Sequence, residues 1–315
     1  MTGSATLPCY AAITLGSNSF NMLVAQTLDG QPTIIAKYKQ KVRLAEGIGE
    51  DNRLAEVVLQ RGLDCLSMFA EMLEKHQVAQ QHVAVFATAT LRVISNADEF
   101  HQRSLPILGH PIEVISGLRE AELIYQGMAA TTEGDGQRLV IDIGGASTEF
   151  IIGNGNQVLF KTSLDFGCVR FNQQFFNQVP YQLHHFEQAK LAVSKALEPH
   201  SELLRELGWQ GVVGASGAVQ SVVSVLNHRE LSEIITLKVL YRFRDEVLAQ
   251  KNESLHHIQG LSAEKAPTFA SGIAILIALF ELLDIESLNL SGGALREGVL
   301  AMLAERVEQT EKAIS

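Results

Sequence analysis

Ile13-Thr14-Leu15-Gly16-Ser17-Asn18-Ser19 and Ile141-Asp142-Ile143-Gly144-Gly145-Ala146-Ser147 are the two stretches whose comparison decides the fold. They are offset by 128 positions (141 − 13). Each is an apolar run that enters a tight turn of small residues and leaves into a second apolar run, residues 21–27 in one case and 148–152 in the other. Short apolar runs flanking a Gly/Ser turn predict a β-hairpin at each place. An offset this long is no solenoid period. It points to two similar α/β domains, each opening with a hairpin. The plainer alternative is two unrelated hairpins in a chain with 25 glycines.

Outward from these hairpins, strand and helix signals alternate. Residues 32–44 look extended, and Leu59, Leu63, Leu66, Phe69 and Leu73 fall at helical spacing. Residues 83–87 predict a short buried strand closed by the polar turn Thr88-Ala89-Thr90, and residues 112–115 another, followed by a helix over 118–130. Residues 131–137 form the best loop of the first half. A helix is expected over 186–207 with a bend at Pro199. Two more follow Ser216-Gly217 and Ser291-Gly292-Gly293. Strands alternating with helices imply an α/β architecture.

The chain has 315 residues, 46% hydrophobic and 19% charged, which excludes disorder and coiled coil. Its 35 acidic against 25 basic residues argue against a general nucleic-acid binder. They leave room for a small anionic ligand at one local site. Cys9, Cys65 and Cys168 form no C-x-x-C pair and suit reduced thiols. Residues 1–8 show no signal peptide. The most apolar stretch, 272–283, contains Glu281 and is expected to be too short to span a bilayer. The expectation is a soluble, cytoplasmic protein with neither nucleic-acid nor membrane partners.

Gly/Ser turns let backbone N–H groups converge on an anion with no Cβ in the way. Ser17, Ser19, Ser147 and Thr148 could add hydroxyl donors. Asp142, just ahead of its glycines, is placed to hold Mg²⁺ directly or through water. Ser216 and Ser291 precede helices, as an anion site or, more commonly, an N-cap would. Glu120 lies in the first turn of a helix, where the dipole alone favours an acid. Arg92 follows a run of small residues and could grip a phosphate with its fork or make a surface ion pair. Lys37, Lys39, Lys41 and Arg43 alternate and should share one strand face, either attracting a polyanion or protecting a sheet edge. The pairs His184-His185 and His256-His257 lack metal-ligand spacing and read as surface residues. No Ser/His/Asp order supports a hydrolase triad, and Gly153-Asn154-Gly155 lacks the rest of a dinucleotide fingerprint.

Taken together, residues 15–20 (LGSNSF), 39–49 (KQKVRLAEGIG), 87–92 (ATATLR), 114–117 (VISG), 120–127 (EAELIYQG), 139–150 (LVIDIGGASTEF), 167–169 (GCV), 214–220 (GASGAVQ) and 291–300 (SGGALREGVL) stand in the order of a known family. The chain resembles the exopolyphosphatase / guanosine pentaphosphate phosphohydrolase (Ppx/GppA) family over residues 10–302, closer to the pentaphosphate branch. The resemblance implies two ribonuclease-H-like domains of the actin, heat-shock chaperone and sugar-kinase superfamily, with an interdomain cleft. The first would cover 1–130, joined by the C-terminal helix 295–315, and the second 131–294. It also implies hydrolysis of a terminal phosphoanhydride with Mg²⁺, on guanosine pentaphosphate, inorganic polyphosphate or both. By position, Glu120 matches the glutamate that handles the attacking water. Asp142 and Glu149 match the metal-holding acids. Gly16, Ser17, Asn18, Ser19, Gly144, Gly145 and Ser147 match the phosphate loops and Arg92 a phosphate-facing arginine, while Ser216 and Gly217 are expected to bind phosphate from their place at the start of a helix. A homodimer is carried as an expectation.

Three positions depart from the family pattern. Thr14 stands where the first motif has Asp, Ala218 where the Ser216 turn has Thr, and Glu122 where an Arg is common. Longer members carry a further C-terminal helical region, which sets an expectation against processive digestion of long polyphosphate. Thr14 keeps a second hypothesis open: a catalytically weakened homologue that senses polyphosphate or guanosine tetra- and pentaphosphate. A kinase-like phosphotransferase shares the superfamily fold but not the pairing of Glu120 with the IGGASTE turn.

Overall fold

The computed structural model describes residues 8–28, 31–250, 255 and 257–314, so residues 1–7 of the leader reading and His256 lie outside the described residues. The elements run β1 (Cys9–Leu15), β2 (Phe20–Leu28), β3 (Gln31–Gln40), α1 (Glu56–Lys75), β4 (Val83–Ala87), α2 (Ala89–Val93), α3 (Ala97–Leu108), β5 (Glu113–Val114) and α4 (Gly117–Thr131). They continue with β6 (Gln137–Ile143), β7 (Thr148–Asn154), β8 (Gln157–Leu164), α5 (Cys168–Phe175), α6 (Leu183–Leu207), β9 (Gly211–Ala215), α7 (Ser216–His228), α8 (Leu237–Leu248), α9 (Phe269–Leu283), β10 (Asn289–Leu290) and α10 (Leu295–Ile314). Two compact units result, one of Met1–Thr131 with Gly293–Ser315 and one of Thr132–Gly292.

Each unit is built on a five-stranded sheet of the same topology. The orders are β3-β2-β1-β4-β5 and β8-β7-β6-β9-β10. In both, three antiparallel strands are followed by two parallel ones. This is the ribonuclease-H-like arrangement the resemblance implied. β1 is buried on both faces, and its alternation sorts the side chains. Ala11, Ile13 and Leu15 join one core cluster, whereas Tyr10 and Ala12 join another with Leu300 and Leu303 of α10. A strand covered on both sides has no polar face to show, which is why its sequence reads as one apolar run. In the second unit Leu139, Ile141 and Ile143 of β6 pack into one cluster with α6, α7, α8 and α9.

Some local expectations change. Thr88-Ala89-Thr90 is not a free turn, because α2 already begins at Ala89. α6 runs without a break from Leu183 through Pro199 to Leu207. His185 is half-buried and its Nδ1 accepts the Gln182 N–H at 3.2 Å, so it caps α6. The apolar window around α9 is longer than the sequence reading allowed: Ala266–Leu283 has the length and composition of a membrane span, and 78% of it is buried inside its unit. Burial, rather than shortness, accounts for that helix. β3 ends at Gln40, so only Lys37 and Lys39 share an exposed strand face, on an edge strand where lysines discourage further pairing. Lys41 and Arg43 lie beyond it.

Candidate active site

The two hairpin turns have the same internal geometry. The Gly16 N–H donates to the Ser19 carbonyl at 3.1 Å and the Gly144 N–H to the Ser147 carbonyl at 2.9 Å. A Cβ at Gly16 or Gly144 would sit 3.1 or 3.0 Å from those same oxygens, so the closure favours glycine. Ser17 and Ser147 are buried, while Asn18, Ser19 and Gly145 are half-buried. Thr148, by contrast, is wholly buried and its hydroxyl donates to the Phe166 carbonyl at 2.8 Å. It is a core residue, not a ligand donor.

The hairpin register carries the electrostatics. In the second unit Asp142 is paired across the strands with Glu149, at 7% and 1% exposure. Directly opposed residues of an antiparallel pair place their Cβ atoms about 4.5–5.5 Å apart on one face. Ser163 of β8 donates to Glu149 Oε1 at 2.7 Å and fixes that carboxylate. The matching pair in the first unit is Thr14 and Asn21, both neutral. Arg296 Nη1 donates to Asn21 Oδ1 at 3.4 Å. The carboxylate pair therefore belongs to the second hairpin alone. Two adjacent buried carboxylates supply hard oxygen donors and mutual repulsion, and both suit a divalent cation. Among the described residues no group of three or more His, Cys, Asp or Glu side chains converges as a complete metal cage. Cys168, next to this turn, is no nucleophile: burial, with the nearby Asp142 charge adding to it, pushes its thiol up to about 12.

In the first unit, Ser116 Oγ accepts the Arg119 N–H at 3.2 Å and starts α4. Glu120, in the first turn, is 7% exposed. Arg92 Nη1 donates to Glu120 Oε2 at 3.0 Å and to the Ile115 carbonyl at 2.8 Å. α2 delivers the guanidinium because its first turn is docked on β1, with the Thr88 N–H on the Leu15 carbonyl at 3.2 Å. Arg92 and Glu120 thus form a buried-side pair that sequence reading had treated separately. The arginine fixes the carboxylate, and its fork still carries further N–H groups.

The remaining expected residues are spread differently. Ser216 opens α7 with φ 70°, and its hydroxyl donates to the Ile143 carbonyl, directly before the Gly144 turn. It is neither the N-cap, which is Ala215, nor a hydroxyl proton held for an anion. Gly217 is exposed, with open space where a Cβ would go. Of the departures, Glu122 is absorbed by an ion pair to Arg119 at 2.9 Å, and Ala218 packs in the core of its unit.

Comparison with known proteins bears on the family and the fold. The model of the Ppx/GppA phosphatase family matches residues 23–307. Guanosine-5'-triphosphate,3'-diphosphate pyrophosphatases of Vibrio vulnificus and Vibrio cholerae are 45% identical over 311 residues, 99% of this chain. The chain spans 62% of the length of those relatives. A crystal structure of an exopolyphosphatase from Cytophaga hutchinsonii superposes with a TM-score of 0.85 at 26% identity, covering 95% of this chain and 98% of that one. The Ppx/GppA family member of Aquifex aeolicus shares the fold, with a TM-score of 0.78 at 24% identity over 96% and 99% of the two chains. With the family model matching residues 23–307 and relatives 45% identical over 99% of the chain, this chain belongs to the Ppx/GppA phosphatase family.

Proposed function

We propose that the protein hydrolyses the terminal phosphoanhydride of guanosine pentaphosphate or of inorganic polyphosphate, by attack of water in line with the departing oxygen. The single observation that carries this reading is the opposed pair Asp142 and Glu149 beside the Gly144–Ser147 turn, in a chain 45% identical to proteins named for that pyrophosphatase activity. Phosphoryl transfer leaves little covalent work to the protein; positioning and charge neutralisation supply most of the rate. In this reading the Glu120 carboxylate orients the water and takes its proton, and Arg92 holds that carboxylate while presenting positive charge to the phosphate. The amides of the glycine turns and the hydroxyls of Ser17, Ser19 and Ser147 receive the phosphate oxygens. Asp142 and Glu149 would hold Mg²⁺, which when bound neutralises charge on the phosphates. Their hard oxygen donors fit that ion, and one or two protein carboxylates are its usual complement.

A small polyanion as substrate and a cytoplasmic location belong to the same proposal, as do the domain limits 1–130 with 295–315 and 131–294 read from the resemblance. The sensor alternative rested on Thr14 alone and is not favoured by relatives named as pyrophosphatases or exopolyphosphatases. The test is phosphate release from guanosine pentaphosphate and from polyphosphates of several lengths, with Mg²⁺ and with chelator. Release that requires Mg²⁺ is expected. Tight binding of either polyanion without turnover would return the sensor reading.

A further inference from the structure

Two motifs, residues 39–49 and 167–169, fit the family pattern but carry no chemistry of their own, and the structure places both against the carbonyl side of a phosphate turn. At the start of α5, the Cys168 N–H donates to the Gly144 carbonyl at 2.9 Å, and the Val169 and Arg170 N–H groups to the Gly145 carbonyl at 2.9 and 3.2 Å. The approach is close because residue 167 is glycine: a Cβ there would lie 2.7 Å from the Gly144 oxygen and from the Gly145 carbonyl carbon and oxygen. The Ser271 hydroxyl of α9 donates to the Cys168 carbonyl at 2.8 Å and anchors this segment in the core. The first unit repeats the device one position further along its turn. The Ala45 N–H donates to the Ser17 carbonyl at 3.0 Å and the Arg43 N–H to the Asn18 carbonyl at 2.9 Å. Arg43 adopts φ 55° to reach it.

We propose that these segments are carbonyl clamps that aim the turns' amides, making Gly167 a positioning residue of the second phosphate loop; the inference rests on the phosphate-loop reading above. A trans peptide is planar and points its C=O and the following N–H in opposite directions. Holding the Gly144 and Gly145 carbonyls from behind therefore turns the Gly145 and Ala146 N–H groups the other way. Holding Ser17 and Asn18 does the same for Asn18 and Ser19. Among the described residues these four amides donate to no acceptor within the chain. Successive amides aimed into one concavity form an anion nest. The clamp is what keeps that nest from collapsing when no phosphate fills it.

Gly167→Ala forces the clamp and turn apart, and a misplacement of about 1 Å at such a site costs on the order of 10²-fold in rate. The expected result is a loss of roughly that size in kcat/KM and a weaker affinity for inorganic tripolyphosphate by calorimetry, in a protein that melts below the wild type because the clash is with backbone. Gly211→Ala, where a Cβ meets nothing within 4 Å, is the steric control and should retain both readouts. Should Gly167→Ala not fold, Cys168→Pro removes one clamp N–H at the first helical position, which suits proline, after a Gly167 already extended at ψ 175°. It should bind tripolyphosphate at least tenfold more weakly than Cys168→Ala, which keeps the N–H. Tripolyphosphate binding unchanged in the folded Gly167→Ala or Cys168→Pro protein, or absent from the wild type, overturns the clamp. Binding that weakens as stated, in a wild type that releases no phosphate, would sustain the clamp and remove the hydrolase reading.

Discussion

Neutralising Asp142 should stabilise the metal-free protein while abolishing its response to Mg²⁺. Asp142 and Glu149 face one another across β6 and β7, almost fully buried. Two carboxylate charges about 6 Å apart repel by roughly 3 kcal/mol at an effective dielectric constant near 20. Part of it is relieved by local hydrogen bonding, such as that from Ser163 to Glu149 Oε1. A net gain of about 1–2 kcal/mol is expected from Asp142→Asn in the presence of chelator. For a domain of this size each kcal/mol moves the melting temperature by about 2–4 °C. Differential scanning calorimetry in EDTA should therefore place Asp142→Asn several degrees above wild type. Adding millimolar Mg²⁺ should raise the wild-type transition by mass action and leave the variant nearly unmoved. Phosphate release by the variant should fall to background. A variant that melts lower than wild type in EDTA, yet keeps the full Mg²⁺ shift, would refute the argument that these two carboxylates repel one another and hold the metal.

Glu120→Gln preserves shape and the contact to Arg92 but cannot take a proton, so kcat should drop by about 10²–10⁴-fold with little change in substrate binding; near wild-type release would exclude Glu120 from the reaction. Thr14→Asp restores a carboxylate opposite Asn21 and should lower the Mg²⁺ concentration needed for half-maximal rate, which a titration of both proteins would show. Away from the site, the hydrogen bonds from Arg229, at 2.7 Å to both oxygens, hold the Glu246 carboxyl below its usual range, against the opposing effect of its partial burial. A depressed carboxyl stabilises the fold above its unfolded pKa of about 4.3 and loses that contribution as the pH falls through the lower folded value. Glu246→Gln should cost about 1–2 kcal/mol at pH 7 in urea unfolding, and the difference should shrink on acidification through that window.

Much of this molecule is legible in one dimension because its repeating unit is a local one. An apolar run, a glycine turn and a second apolar run specify a hairpin wherever they occur. Two of them 128 residues apart announced the duplicated sheet. Even the Asp142–Glu149 pair follows from the turn: once Gly144 closes on Ser147, the residues flanking it must oppose each other in register. The departures at Thr14, Ala218 and Glu122 could likewise be read off the sequence, though not what absorbs them. Lys37, Lys39, Lys41 and Arg43 show where alternation misleads, since the strand ends at Gln40 and the chain turns so that Arg43 can reach Asn18.

What the tertiary structure decided are the approaches between segments distant in sequence. Arg92 meets Glu120 because α2 docks on β1 while α4 starts beside it, an outcome of packing with no periodicity to signal it. Ser216 spends its hydroxyl on Ile143, reversing the reading a helix-leading serine invites. Gly167 is the clearest case. Nothing in its local sequence demands a glycine, and its extended backbone would suit any residue; only the backbone of Gly144 and Gly145, 2.7 Å from where its Cβ would stand, excludes a side chain. Hairpins form from neighbours in the chain and so are written in its pattern, whereas the direction of a turn's amides depends on which remote N–H groups the folded core brings up behind its carbonyls.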